Sequence, residues 1–222
     1  MKIAAHNKLV MIGDSITDCG RAKPVGEGIF NALGNGYVSV IDVLFSVAYP
    51  ELGIRVVNMG TSGNTVRDLK ARWQTDVIDL KPDWVSIMIG INDVWRQFDS
   101  PRQTEIAVLP DEYRATLDEL VAQASSAAKQ IVLMSPFHIE PNKRDAMRAR
   151  MDEYGAIVRE IAHRRDALFV DTQAAFDAAL EHFHPYGIAW DRIHPGPSGA
   201  NGQFGHTIIA RAFLNAIDYR WS

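Results

Sequence analysis

The sequence predicts one doubly wound α/β domain over residues 1–222. Three observations predict it. Five short runs are apolar along nearly their whole length, as strands buried on both faces are. Stretches with apolar residues spaced three and four apart lie between them. Segments rich in Gly, Pro or polar residues interrupt the alternation, and long loops in a compact α/β domain are often functional. Strand alternating with helix is the pattern of a parallel sheet covered on both sides.

The strands are read at KLVMIGDS (8–15), IRVVNMG (54–60), WVSIMIGIND (84–93), QIVLMSP (130–136) and ALFVDT (167–172). Helical stripes follow from Val66, Leu69, Trp73 and Val77, and from Met147, Met151, Tyr154, Val158 and Ile161. Ile209, Ala212, Phe213 and Ala216 give another near the end. Residues 19–36, 94–111 and 182–204 are left as loops, all placed at the carboxyl edge of the sheet. Ligands of open α/β sheets bind at that edge. There is no internal repeat, low-complexity tract or linker.

Composition bounds the function. At 47% hydrophobic and 23% charged residues, the chain reads as a soluble globular protein. A net charge of -4 without any Lys/Arg block argues against a nucleic-acid partner. The single cysteine, Cys19, rules out an intrachain disulfide and fits a reducing compartment. No run approaches the ~20 apolar residues of a membrane helix. The opening MKIAAHNKLVMIGDS has no apolar signal region, so the expected location is the cytoplasm.

The residues at the strand ends carry chemistry. The first strand delivers Asp14 and Ser15, the second NMGTSGNT (58–65), and the third GIND (90–93). WDRIHP supplies Asp191 and His194 near the C-terminus. A serine hydroxyl needs a base to become a nucleophile, and a histidine suits that task near neutral pH. An aspartate three residues before the histidine can turn back onto its ring and fix the tautomer. The oxyanion formed on attack needs preplaced donors. Ser15 N–H, Gly63 N–H and the Asn92 amide are the candidates. Singly, each residue has a plain structural use: Ser15 as a helix cap, Gly63 in a turn, His194 on the surface. Together, in order and at strand ends, they predict a serine hydrolase.

These blocks resemble the GDSL, or SGNH, hydrolases. GDSITD, GTSGNT, GIND and DRIHP match that family's motifs from residue 10 to the C-terminal helix. The resemblance implies Ser15, Asp191 and His194 as the triad, with Gly63 and Asn92 as oxyanion donors. It also implies a three-layer α/β/α sandwich, flavodoxin-like, around a five-stranded parallel sheet. IGDSITDCGRA, SGNTVRDLKARW, PDWVSIMIGINDVWRQ and LFVDTQAAF are similar to the intracellular acetyl xylan esterases of bacilli. That likeness implies removal of O-acetyl groups from xylo-oligosaccharides or other small acetylated sugars, by a homo-oligomer. Two alternatives stay open: a broad short-chain esterase or lysophospholipase-like lipase, and a catalytically silent carbohydrate-binding domain.

Asp14, Trp95, Tyr186 and Trp190 are candidate substrate contacts, since exposed aromatic faces stack on sugar rings. For the aromatics, packing of the loops is the competing use. Arg55 and Arg67 are read as surface ion pairs. No cofactor is expected, since the chain has neither a Walker A pattern nor a Gly-rich dinucleotide fingerprint. No metal is expected either, because Asp14, Asp18 and the HFH at 182–184 lack further ligands at suitable spacing. GPSGANGQF, between Pro195 and Gly205, reads as an insertion beside the catalytic histidine, residues 196–204.

Overall fold

The computed structural model describes residues 1–196 and 203–221. Five parallel strands form one sheet: β1 (Lys8–Gly13), β2 (Arg55–Asn58), β3 (Trp84–Met88), β4 (Gln130–Met134) and β5 (Leu168–Val170). The helices are α1 (Ser15–Asp18), α2 (Tyr37–Ala48), α3 (Val66–Trp73), α4 (Ile91–Asp99), α5 (Pro110–Ala127), α6 (Ala146–Arg164), α7 (Thr172–Leu180), α8 (Pro185–Ile188) and α9 (Phe204–Ala216). The spatial order β2-β1-β3-β4-β5 places β1 between two neighbours, with Val10 opposite both Val57 and Val85. The chain therefore winds outward one way from β1 and the other way from β3. The crevice at the carboxyl ends of β1 and β3 is the topological switch point.

Right-handed crossovers put α2 on one face and α3, α5 and α6 on the other. After β5 the chain returns to the first face, where α9 packs between α2 and α7. Both faces are thus covered. This is why Leu9, Val10, Met11 and Ile12 are all buried in one continuous run. The predicted stripes also face inward: Val66, Leu69, Trp73 and Val77 are buried, as are Met151, Tyr154, Val158 and Ile161.

Several boundaries differ from the sequence reading. Residues 91–93 open α4 rather than ending a strand, because Gly90 turns the backbone at φ 127°. A Cβ there would lie 2.9 Å from the Tyr113 hydroxyl, so only glycine fits the bend. Helix α4 then occupies 94–99 of the expected loop, and α5 begins at its last residue but one. The 182–204 stretch contains the single turn α8. Helices α2, α5 and α7 lie outside the stripes named from sequence. Within the 196–204 insertion, residues 197–202 are outside the described part of the chain. Among the described residues, no helix is long and apolar enough to cross a membrane.

Candidate active site

The site is assembled at the carboxyl edge of β1 and β3. Gly13 ends β1 where a Cβ would sit 2.3 Å from the Met88 carbonyl oxygen. The strand can therefore run flush against β3 and turn at once into α1. Asp14 makes that turn: its Oδ1 accepts from Ile16 N–H at 2.9 Å. Ser15 is the first residue of α1 and half-buried. The Ser15 hydroxyl lies 2.8 Å from His194 Nε2.

Asp191 and His194 form a tight local unit. One carboxylate oxygen accepts from His194 N–H at 2.8 Å and Ile193 N–H at 3.0 Å. The other lies 2.6 Å from His194 Nδ1. Arg192 takes the left-handed conformation between them, at φ 62°, which lets three residues fold the carboxylate back onto the ring. The Arg192 guanidinium pairs with Glu140, and its carbonyl accepts from Ile139 N–H at 2.9 Å. The strained turn is thereby held from outside.

The electrostatics follow from this geometry. Burial alone would raise the Asp191 pKa, but hydrogen bonds from His194 and Ile193 outweigh it and hold it below the ordinary value. The hydrogen bond to Asp191 raises the pKa of His194 above its ordinary value despite partial burial. With Asp191 holding the proton on Nδ1, Nε2 is left as an acceptor aimed at the serine hydroxyl.

Gly63 follows β2, and Asn92 lies in the first turn of α4, after β3. Gly63 has φ 82°, and a Cβ there would meet nothing within 4 Å. The Asn92 side chain is buried and donates to the Asn64 carbonyl at 2.9 Å. An amide carries two N–H donors, so one remains for a ligand. Arg96 donates to Asn92 Oδ1 at 3.4 Å, which keeps the amide nitrogen facing the turn. The aromatic ring of Trp95 stands 5.9 Å from the His194 ring, edge to face, with the Arg96 guanidinium 4.5 Å over its centre.

The other expected contacts differ in exposure. Asp14 is only 2% exposed, so the structure places it under the serine and not on a wall facing substrate. Burial drives its pKa up to about 7. Tyr186 and Trp190 are 55% and 65% exposed. Tyr186 stacks on His184 and lies under Arg192. Arg55 and Arg67 form exposed pairs with Glu27 and Glu112, as read from sequence. Among the described residues, no group of three or more His, Cys, Asp or Glu is placed to hold a metal.

Sequence reasoning missed the groups that hold the loops. Arg72 donates to the Gly13 carbonyl at 3.0 Å, the Met59 carbonyl at 2.7 Å and Asn64 Oδ1 at 2.7 Å. It ties β1, β2 and the glycine turn together. Asp93 accepts from Val66 N–H at 3.0 Å, joining α4 to α3. Asp18 accepts from both the Ser62 N–H and hydroxyl at 3.0 Å. Only the neighbouring motifs hinted at Asp18 and Asp93; nothing singled out Arg72.

A hydroxyl, an imidazole and a carboxylate in series, beside amide donors on a doubly wound sheet, define a serine hydrolase. The chain belongs to the GDSL-like lipase/acylhydrolase family, whose profile matches residues 11–201. It is 58% identical over 221 residues to an acetylxylan esterase of Geobacillus stearothermophilus, covering 100% of this chain and 98% of the relative. Among solved structures, that organism's acetylxylan esterase Axe2 superposes with a TM-score of 0.96 at 58% identity, covering 100% of this chain and 98% of the other. LAE5, described as an alpha/beta hydrolase enzyme from the metagenome of Lake Arreo, gives 0.96 at 55% identity with full coverage of both. Three solved Axe2 structures are described as catalytic mutants: S15A, D191A and H194A.

Proposed function

We propose that this protein removes O-acetyl groups from xylo-oligosaccharides or other small acetylated sugars, through an acyl-enzyme. The 2.8 Å contact between the Ser15 hydroxyl and His194 carries the chemical part of the reading. His194 takes the serine proton as Ser15 attacks the acetyl carbonyl. The oxyanion accepts from Ser15 N–H, Gly63 N–H and the free Asn92 N–H. As the intermediate collapses, the bond to the sugar oxygen breaks and His194 gives that oxygen the proton, releasing the sugar alcohol. Water repeats the sequence and frees acetate. Asp191 orients His194 and stabilises its cation throughout.

Full-length identity to an acetylxylan esterase supports the sugar substrate. The catalytic mutants of Axe2 support the triad, since this chain carries Ser15, Asp191 and His194 at the same numbers. Trp95 forms the aromatic wall beside His194, with Trp190 and Tyr186 as outer sugar contacts. We assign the enzyme to the cytoplasm, in keeping with its lone cysteine, and to a homo-oligomer. Val40, Leu44 and Trp221 line an apolar groove that supports self-association.

Acetate release from acetylated xylo-oligosaccharides, followed by proton NMR, tests this reading. Rapid release by wild type, with aryl esters failing beyond short acyl chains, is the expected result. Preference for long acyl esters would replace the sugar substrate with a lipase-like one. Sugar binding without acetate release would make the domain a binding module.

A further inference from the structure

Two polar side chains behind the nucleophile take no part in the chemistry above. Cys19 ends α1 in the left-handed region, at φ 42°. Its sulfur lies 3.2 Å from the Ile16 carbonyl oxygen and 3.6 Å from that of Ser15. On its other side the sulfur is 3.4 Å from His206 Nε2. His206 sits in the first turn of α9 and is 5% exposed.

The hydrogens can be placed. Burial holds the His206 pKa down to about 4 and pushes the Cys19 thiol up to about 12, so both are neutral at pH 7. A neutral imidazole has one N–H, and a thiol has one weak donor. With the proton on Nε2, His206 donates to sulfur, and the thiol donates to the Ile16 carbonyl. Nδ1 is then a bare acceptor, buried with no partner among the described residues. The other tautomer would bury an unpaired N–H, which native structures avoid more strictly. The chain of bonds thus runs from α9 to the backbone of the nucleophile turn.

Glycines close the space around this pair. A Cβ on Gly36 would meet Cys19 Sγ at 2.6 Å and His206 Cε1 at 3.3 Å. A Cβ on Gly205, next to His206, would meet Pro195 Cβ at 2.3 Å. Pro195 directly follows His194. The first turn of α9 therefore touches the residue after the base on one side and the serine turn on the other.

We propose that Cys19 and His206 are positioning residues that join α9 to the Ser15 turn and set the spacing between Ser15 and His194. The inference rests on the reading of Ser15 as nucleophile and His194 as base. Those two residues come from opposite ends of the chain and meet at 2.8 Å, with no covalent link nearby to hold them. A displacement of about 1 Å at such a contact can lower the rate a hundredfold.

The test compares His206→Leu with His206→Gln, using p-nitrophenyl acetate for kinetics. The Gln amide N–H reaches about where Nε2 stands; Leu keeps bulk without a donor. His206→Leu is expected to lower kcat about tenfold with KM within about twofold, while His206→Gln keeps most of the wild-type kcat. The low-field proton resonance of His194 Nδ1–H gives a second readout that needs no turnover. It is expected to broaden in His206→Leu and persist in His206→Gln. If His206→Leu fails to fold, Cys19→Ala breaks the same link and is expected to show the same loss. Wild-type kcat and an unchanged low-field signal in the Leu or Ala variant would overturn the proposal. So would an equal loss of kcat in the Leu and Gln variants. A wild type inert toward the ester would count against the proposed reaction instead, and the proton signal would then decide the positioning role.

Discussion

The aspartate that precedes β3 and those that follow β1 and β3 are treated in opposite ways. At the amino edge, Asp83 precedes β3 and stays accessible. It accepts from Lys8 N–H at 2.9 Å and pairs with Lys129 at 2.7 Å. The Lys129 hydrogen bond holds its carboxyl below the ordinary range. At the carboxyl edge, Asp14 follows β1 and Asp93 follows β3, both buried. Burial pushes each up to about 7. The Asp93 Oδ2 has no hydrogen-bond partner among the described residues. One edge satisfies its charges in water. The other accepts poorly compensated acids so that backbone turns can present a serine, an asparagine and a glycine. Natural proteins concentrate such compromises at functional sites.

That contrast can be broken from the carboxyl edge outward. Ser15→Ala or His194→Ala is expected to fold normally and lose about 10⁴-fold or more in kcat, measured by acetate release. Asn92→Ala removes one oxyanion donor, for an expected loss of about 10²–10³ in kcat with little change in KM. A full rate in that variant would remove Asn92 from the site chemistry.

Stability gives a smaller but sharper comparison. The folded-state pKa of Asp14, about 7, lies above its ordinary value of 3.8. The folded protein therefore keeps that proton where the unfolded chain releases it. Its contribution is full below the ordinary value and is lost as pH rises toward 7. In Asp14→Asn the amide oxygen still accepts from Ile16 N–H and nothing ionises. The thermal midpoint of Asp14→Asn relative to wild type is expected to climb between pH 4 and pH 7, then level off. A difference flat with pH would contradict the buried-acid account. At the other edge, Asp83→Asn is expected to change stability by at most about 1 kcal/mol at pH 7, since exposed ion pairs contribute little. A larger loss, read by urea denaturation, would show that the amino edge also depends on a specific charge.

Much of this contrast was legible in the sequence. Strands covered on both sides need continuous apolar runs, so all five strands were visible, though each proved shorter than its run. Ser15 stood out as a serine at a strand end, and Asp191 and His194 as an acid and an imidazole three residues apart in the loop after α8. Helix α2 was not, because Tyr37–Ala48 is apolar on nearly every side, with Val43 and Val47 exposed as well as Val38 and Ile41 buried. No stripe stands out against such a background. Asp14 reads in the sequence as a substrate contact beside the serine; its burial depends on β3 packing alongside. Arg72 read as a polar residue on an amphipathic helix. Beyond its local pair with Asp76, three of its bonds reach the ends of two strands and a turn, and no local pattern encodes such distant partners.

Covalent labelling tests the central claim most directly, that Ser15 is the nucleophile activated by His194. A fluorophosphonate probe, followed by peptide mapping, reads the attacked atom without assuming any substrate. The expected result is a single adduct on Ser15 in wild type, none in Ser15→Ala, and labelling slowed strongly in His194→Ala. An active wild type that takes no adduct at Ser15, or equal labelling without His194, would contradict the account.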